Sequence, residues 1–283
     1  MAERTDIKAE ARRTGRSLTT PWRPRPAIFA TLQVAGTFGA VWALWTGVGL
    51  AWWMLALSVY FVTSCLGMAV AVHRGLTHDA FRMVPWLNRT LSLAAALGGT
   101  GSPLGWIAVH REHHATADTE EDPHGPGAHG WLLLVRGAVP KVDWWRVRDI
   151  MRDPVQRRLH SHYTLILLAW GLLLLAIHPL ALVMGFLVPA AAQIWVTNLS
   201  TILAHGWGYR NFDTRDDSTN NVLIALLTWG EGWHNNHHAR PRSWILGLKW
   251  WEFDPAGRIV QLLAARGLIE RESLVEDLTP AAT

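Results

Sequence analysis

The chain has a single cysteine, Cys65, among its 283 residues. An internal disulfide, a cysteine-ligated zinc site and an iron–sulfur cluster each need several cysteines, so the sequence excludes all three. Charge is scarce as well, because 17% of the residues are charged whereas 50% are hydrophobic. A disordered chain has the opposite balance, so we expect a folded and strongly apolar protein.

Charged residues are absent from two long stretches, residues 26–72 and residues 163–209. A membrane-spanning helix needs about 20 apolar residues, so each stretch can hold two helices joined by a turn. Gly47 and Gly49 offer the turn in the first stretch, and His178–Pro179 offers it in the second. We therefore predict an all-α integral membrane protein with four spanning helices arranged as two hairpins.

The positions of the charges predict the orientation of these hairpins. No charge lies at either hairpin turn, so both hairpins are expected to enter from one face, which the positive-inside tendency makes cytoplasmic. Both termini then lie in the cytoplasm, beside a helical cap. We predict one domain over residues 1–283, divided into a basic cytosolic tail (1–25), a spanning hairpin (26–72), a cytosolic segment (73–162), a second hairpin (163–209) and a final cytosolic segment (210–283).

Two further helices are predicted outside the membrane. The stretch Pro85–Gly98 has the pattern of an amphipathic helix at the membrane interface. Asp254 followed by Pro255 predicts an N-cap and the first position of a helix near the C-terminus.

Histidine is abundant, with 14 residues in a chain so poor in charge. Most of them lie in three motifs and one helix end beside the predicted cytoplasmic face. These are HxxxxH with His73 and His78, HxxHH with His110, His113 and His114, HxxHH with His234, His237 and His238, and His205 at the end of the fourth predicted helix.

The spacing within these motifs is typical of metal binding. On a helix, positions i, i+3 and i+4 share one face, so each HxxHH motif directs three imidazoles one way. His73 and His78 can converge only where their helix ends or loosens, for which Gly75 is suitably placed. Nine imidazoles exceed the needs of one metal, and burying them without partners would be costly, so we predict a dimetal site. Imidazole alone leaves zinc, iron, copper and nickel open.

The motifs and their flanks resemble those of integral-membrane fatty acyl desaturases of the stearoyl-CoA, or delta-9, type. The matching stretches are HRGLTH at His73–His78, HREHH at His110–His114 with the following Asp118–Thr119 and Asp122-Pro123-His124, GEGWHNNHH at Gly230–His238, and Trp250–Trp251. The resemblance implies a four-helix membrane domain whose cytosolic cap holds two iron ions. It assigns their ligands to His73, His78, His110, His113, His114, His205, His234, His237 and His238.

The reaction implied by the resemblance removes two hydrogens from a saturated acyl chain, using O₂ and two electrons, and leaves a cis double bond. Trp106 is implied to lie beside the substrate, and four residues are implied to support the ligands, directly or through water: Asp118, Asp122, Asn198 and Thr201. Animal members bind CoA phosphates through basic residues after the Asp-Pro-His stretch. The stretch Gly125–Trp131 contains no Lys or Arg, so acyl-CoA, acyl-lipid and acyl-carrier-protein substrates all stay open.

Such a reaction needs an electron source, and the sequence contains no motif for a fused haem, flavin or iron–sulfur module. We expect a separate donor such as a ferredoxin or a flavoprotein reductase, contact with membrane lipid, and no nucleic-acid partner. Two alternatives stay open. One is a hydroxylase or acetylenase on the same di-iron scaffold, and the other is a non-catalytic metal-binding or metal-transporting membrane protein, which would place its ligands near the membrane midplane.

Overall fold

The computed structural model describes residues 25–123, 125, 130–132, 134 and 144–274. The predicted basic tail falls almost entirely outside these residues, as does His124 of the Asp-Pro-His stretch. Where the chain is described it is helical, and β-structure is limited there to isolated bridges such as Tyr209–Asn220. The prediction of an all-α fold is confirmed for this part of the chain.

The helices follow one another along the chain with short connections. In order they are α1 (Arg25–Trp45), α2 (Leu50–Thr77), α3 (Pro85–Leu97), α4 (Pro103–Thr116), α5 (Pro154–Ser161), α6 (Tyr163–Ile177), α7 (Pro179–Leu203), α8 (Val222–Leu227), α9 (His234–Ala239) and α10 (Pro255–Ala265). Short 3₁₀ turns occur at Gly130–Leu132, Trp144–Val147, Ile150–Arg152 and Arg271–Ser273.

Among the described residues, α1, α2 and α7 are long and apolar enough to cross a membrane. Helix α6 is strongly apolar but has only 15 residues, and it bends by 73° from α5. At 1.5 Å per residue such a helix covers about 22 Å, less than the roughly 30 Å hydrocarbon core. The structure therefore has three full-length candidate spans and a shorter fourth one.

The turns between the apolar helices lie where the sequence predicted them. Gly47 follows α1 and adopts a φ of +68°, a conformation that glycine accepts without strain. His178 precedes α7, and its Nδ1 atom accepts a hydrogen bond from the Leu180 backbone N–H at 3.1 Å. The two predicted helix-hairpin turns are thus correct in position.

Close helix packing fixes the elements that carry the histidines. Gly67 of α2 lies against α3, where a Cβ atom would come within 2.6 Å of the Ala95 backbone nitrogen. Helix α10 packs its apolar face on α2, in a buried cluster that joins Cys65 and Val70 to Val260. The C-terminal helix is therefore attached directly to the helix that ends in the HxxxxH motif.

Side-chain caps or a proline set where the two predicted extramembrane helices and α4 begin. The Asp254 carboxylate accepts a hydrogen bond from the Gly257 N–H at 2.9 Å, which confirms the predicted N-cap of α10. Helix α3 begins at Pro85, as predicted. Ser102 caps α4 by accepting from the Gly105 N–H at 3.3 Å. This cap fixes the start of the helix that carries the HREHH motif.

Candidate metal centre

The two histidines of the HxxxxH motif converge because α2 changes its winding. From Phe61 to Thr77 it is a π-helix, in which each N–H bonds to the carbonyl five residues earlier. The His78 N–H accordingly donates to the His73 carbonyl at 3.2 Å. Positions five apart then lie closer to one face than on an α-helix, where 100° per residue separates them by about 140°. The predicted loosening exists, but it begins at Phe61, well before Gly75.

The histidines form two adjoining clusters. In the first, the ring nitrogens of His73, His78, His110 and His237 all lie within 4.8 Å of one another, and His114 Nε2 lies 3.0 Å from His110 Nε2 and 2.9 Å from His237 Nε2. In the second, the ring nitrogens of His113, His205, His234 and His238 lie within the same limit. All nine histidines singled out in the sequence are thereby brought together, five in one cluster and four in the other.

The separations between ring nitrogens fit a metal ion better than a network of hydrogen bonds. Two ligands at right angles with bonds of about 2.1 Å lie about 3.0 Å apart. In the first cluster His73 Nε2 lies 3.0 Å from His110 Nε2 and 3.1 Å from His237 Nε2. Each Nε2–Nε2 pair can share only one proton, so protons cannot satisfy all of these contacts at once.

The protonation state of the histidines also suits a metal. Burial, reinforced by the neighbouring imidazoles, lowers the pKa of His78, His110, His114, His234 and His237 well below the ordinary value. Neutral imidazole is the form that coordinates metals. The Nε2 atom of His238 is buried and has no hydrogen-bond partner among the described residues. A metal would occupy that lone pair.

Four carboxylates orient the rings from behind, each accepting a hydrogen bond from an imidazole Nδ1 atom. Because a carboxylate can only accept, the proton lies on Nδ1 and the Nε2 lone pair faces the cluster. The pairs are His73 with Glu231, His113 with Asp122 at 2.9 Å, His205 with Asp118 at 2.9 Å and His238 with Asp216 at 2.7 Å. At Asp216, burial alone would raise the pKa, but the hydrogen bond from His238 lowers it below the ordinary value.

Two of these carboxylates were not singled out in the sequence. Glu231 lies inside the GEGWHNNHH stretch, and its place three residues before His234 was the signal that could have indicated it. Asp216 lies in a run of acidic residues with no distinguishing motif. Asp118 and Asp122, implied by the resemblance, lie next to the second cluster.

A buried cation also escaped the sequence analysis. Arg74, 1% exposed, donates to Glu231 Oε1 at 2.8 Å and to both carboxylate oxygens of Asp254, at 2.8 and 2.9 Å. Arg74 follows a histidine of the first motif, Glu231 precedes the third motif, and Asp254 caps α10. One guanidinium therefore joins three separate parts of the chain behind the first cluster.

A cavity of about 210 Å³ lies against both clusters. His73 and His110 of the first cluster and His205 and His234 of the second all line it. The Trp106 ring also lines it and stacks on the His110 ring, with centroids 4.6 Å apart. Most of the remaining wall comes from α1, α2 and α7, and Thr228, which follows α8, completes one edge. The cavity thus leads from the apolar helices to the histidines.

The two α7 residues implied to support the ligands lie on the cavity wall. The Thr201 hydroxyl donates to the Thr197 carbonyl of its own helix at 3.2 Å. The Asn198 amide donates to the Leu134 carbonyl at 3.2 Å. Both hydrogen bonds point these side chains toward backbone groups, so the described contacts connect neither residue to an imidazole.

Comparison with known proteins agrees with this geometry. The sequence profile of the fatty acid desaturase family matches residues 50–272. The chain is 36% identical over 242 residues to an sn-1 stearoyl-lipid 9-desaturase of Anabaena variabilis, covering 82% of this chain and 86% of the relative. It is 31% identical over 237 residues to an sn-2 palmitoyl-lipid 9-desaturase of a Nostoc species, covering 80% of this chain and 81% of the relative.

A relative with a differently named substrate lies at similar distance. The icosanoyl-CoA 5-desaturase of Limnanthes douglasii is 34% identical over 229 residues, covering 77% of this chain and 64% of the relative. The profile match includes the residues that form both histidine clusters. The chain therefore belongs to the fatty acid desaturase family, as its histidine motifs predicted, and is an oxidoreductase that acts on acyl chains.

Proposed function

We propose that the nine histidines hold two iron ions and that the cavity beside them binds a saturated acyl chain, into which a cis double bond is introduced. The observation that carries this proposal is that one cavity reaches both histidine clusters. A methylene pair in that cavity would be exposed to both metals at once. Positioning of this kind is a large part of how an enzyme acts on an unreactive chain.

Iron is proposed because the reaction is an oxidation. Zinc does not change its oxidation state, so zinc held by the same ligands could not take part in electron transfer. Iron bound at the clusters would supply the redox chemistry by which O₂, together with two electrons, oxidises the acyl chain. Neutral nitrogen ligands with carboxylates behind them are compatible with this metal.

The residues of the chain have three tasks in this proposal. The apolar part of the cavity wall, which includes Phe29, Met68 and Ile194, excludes water and holds the alkyl chain. The Trp106 ring, stacked on His110, limits where the chain can lie beside the first cluster. The four carboxylates keep a proton on the Nδ1 atoms of His73, His113, His205 and His238, so the Nε2 lone pairs of these rings stay directed at the metal sites.

We further propose that the acyl chain is attached to a membrane lipid. Two of the relatives described above are named for lipid-bound acyl chains, and both are covered over more than four fifths of their length by this chain. This chain covers a smaller share, 64%, of the length of the relative that is named for a CoA ester. The stretch Gly125–Trp131 contains no Lys or Arg to bind CoA phosphates, which supports the same assignment.

The membrane arrangement is proposed as four spans in two hairpins, formed by α1 with α2 and by α6 with α7. The chain would form a single domain whose cap, termini and both histidine clusters lie on the cytoplasmic face. Electrons would come from a separate donor such as a ferredoxin or flavoprotein reductase. The absence of charge at both hairpin turns supports this arrangement.

Lipid analysis of a desaturase-deficient cell that expresses the chain tests the reaction. We expect a new monounsaturated acyl chain, two mass units lighter than its saturated precursor, in the membrane lipids. The His113→Ala variant should yield none. The matched control is His162→Ala, because His162 is exposed and lies outside both clusters.

Other products would contradict the proposal. A product heavier by one oxygen would indicate a hydroxylase, and the absence of any new acyl species with the expressed, iron-loaded protein would overturn the proposed reaction. Supplying labelled acyl-lipid and labelled acyl-CoA to membranes in parallel separates the two carriers. Faster conversion of the CoA ester without prior transfer to lipid would contradict the lipid assignment.

A further inference from the structure

Helix α8 exposes an apolar face that the rest of the described chain does not cover. Four of its six residues, Val222, Leu223, Leu226 and Leu227, are 37–62% exposed. No charged residue occurs from position 218 to position 230, and all six residues of α8 itself are apolar. A helix placed in this way in an aqueous cap would present a continuous apolar strip to solvent.

A second exposed apolar segment is the loop at residues 248–253. Trp250 is 97% exposed and Phe253 is 60% exposed. The cation of Lys249 lies over the rings of Tyr209 and Trp251, at 4.9 and 5.6 Å from their centroids. Tryptophan together with a flexible cation is the composition found at the boundary between lipid and water.

These segments adjoin one another through the core of the cap. Ala225 of α8 packs in a buried cluster with Trp233 and Leu246. The Trp233 indole donates in turn to the Phe253 carbonyl at 3.0 Å. The Asn221 amide donates a hydrogen bond to the Trp207 carbonyl at 2.8 Å. The Trp207 side chain is 72% exposed. Helix α8 and the loop are therefore parts of one rigid unit.

The same unit is attached to a membrane-spanning helix. The Tyr60 hydroxyl of α2 donates to the Leu227 carbonyl at the end of α8, at 2.7 Å. The Trp229 indole donates to the Ser64 hydroxyl at 2.7 Å, and its ring packs edge-on against Phe61. Tyr60 lies inside the apolar span Leu50–Thr77, so α8 is held beside a span.

We propose that α8 and the loop at residues 248–253 are inserted into the bilayer, in the leaflet on the side of the histidine clusters. The occupant of their exposed face is membrane lipid, because the end of α8 is bonded to Tyr60 within the apolar span of α2 and α8 carries no charge. The proposal uses the membrane-spanning character of the proposed function. It adds that part of the predicted cytosolic cap is embedded rather than immersed in water.

Insertion would change the surroundings of the acyl cavity. Thr228, which follows α8, and Tyr60 both line the cavity. With α8 in the bilayer, this edge of the cavity borders lipid instead of water, which keeps water from the oxidation.

Spin-label accessibility measures the depth of α8 directly, and the single cysteine of the chain makes it practical. Cys65 is buried and is removed as Cys65→Ala. A nitroxide is then attached at Leu226→Cys in the full-length protein in phosphatidylcholine–phosphatidylglycerol nanodiscs. The matched control is Leu262→Cys, on the surface of α10 beside Gln261. Leu262 is 61% exposed and Leu226 is 62% exposed. Leu172→Cys on apolar α6, 64% exposed, is the lipid-facing reference.

The label at Leu226→Cys should collide with oxygen several-fold more often, relative to a water-soluble nickel complex, than the label at Leu262→Cys, and should resemble Leu172→Cys. A label as accessible to nickel as the Leu262→Cys control would overturn the proposal. A label shielded from both reagents would also overturn it, because that result indicates a protein partner or a second copy on this face. If Cys65→Ala does not fold, the buried native thiol is left in place and the unsubstituted protein becomes the labelling blank. The spin-label measurement of depth does not depend on enzyme activity. If α8 proved to be exposed to water, the proposed desaturation reaction would therefore remain unaffected.

Discussion

Four of the nine imidazoles are each oriented by one carboxylate that lies outside the HxxxxH and HxxHH spacings. Asp216 receives the Nδ1 proton of His238 at 2.7 Å and is further held by Thr214 and Ser218. Without it the ring could rotate or change tautomer, and the Nε2 lone pair would leave the cluster. The sequence predicted the ligands well because histidine spacing is local. It could not predict Asp216, because a carboxylate becomes a partner only when folding brings it within reach.

The Asp216→Asn variant tests this role. We expect the affinity for metal at the second cluster to fall by about 10–100-fold, because the neutral amide accepts a weaker hydrogen bond from Nδ1 and can also donate one, so it no longer fixes the tautomer. Titration of the metal-free protein with Fe²⁺ measures the loss. Asp213→Asn, an exposed acidic residue of the same loop, is the matched control and should bind as the parent protein does. Equal affinity in both variants would contradict the role of Asp216.

The low basicity of the clusters predicts how the metal-free protein responds to acid. Burial lowers the pKa of His238 to about 4, below its ordinary value of about 6.5. The unfolded chain therefore takes up protons first as the pH falls, so stability is complete above about pH 6.5 and decreases toward about pH 4. Thermal unfolding of the metal-free protein should show a falling midpoint between about pH 7 and pH 5. A constant midpoint over that interval would mean that the imidazoles are not held neutral.

At the scale of the helix, the winding of α2 decides whether the HxxxxH motif can work. The 47-residue charge-free stretches, 26–72 and 163–209, with Gly47 and His178–Pro179 inside them, were sufficient to predict the apolar helices and their turns, although α6 is shorter than a full span. The π-helix over Phe61–Thr77 was not predictable, because neither its composition nor its apolar pattern differs from that of an α-helix. The spacing of His73 and His78 required only that the helix loosen somewhere.

Moving the second histidine by one position tests the winding. The double variant Thr77→His with His78→Ala gives an i, i+4 pair, which would restore the site in an α-helix, whereas in the structure the side chain at position 77 bonds to the Val72 carbonyl of its own helix. We expect its metal content to be as low as that of His78→Ala alone. Metal content restored to that of the parent protein would show that the segment is wound as an α-helix when metal is bound.

At the scale of the whole molecule, the buried Arg74 ties the membrane helix to the cap. Its guanidinium bridges Glu231, beside the third histidine motif, and Asp254, at the start of α10. The sequence indicated each of these segments separately. The segments of Arg74 and Glu231 carry histidine motifs, and Asp254 was predicted as the N-cap of a helix. Their meeting at one cation depends on long-range packing, which local patterns do not encode.

Removing this cation should destabilise the fold as a whole. In Arg74→Ala two buried carboxylates lose their partner, which costs about 3–5 kcal/mol for a buried pair. Thermal unfolding of the metal-free variant in detergent should show a clearly lower midpoint than the parent protein. Arg258→Ala removes an exposed arginine from α10 and should leave the midpoint nearly unchanged. Similar midpoints for both variants would indicate that the bridge contributes little.

The central claim is that nine histidines from distant parts of the chain hold two metal ions. The iron content of the purified protein tests this claim most directly. After reconstitution under anaerobic conditions, elemental analysis with X-ray absorption should find two iron ions per chain with nitrogen ligands. His162→Ala should retain both ions, and Asp216→Asn should bind the second one weakly. One ion per chain, none, or a preference for a single zinc ion over iron would contradict the claim.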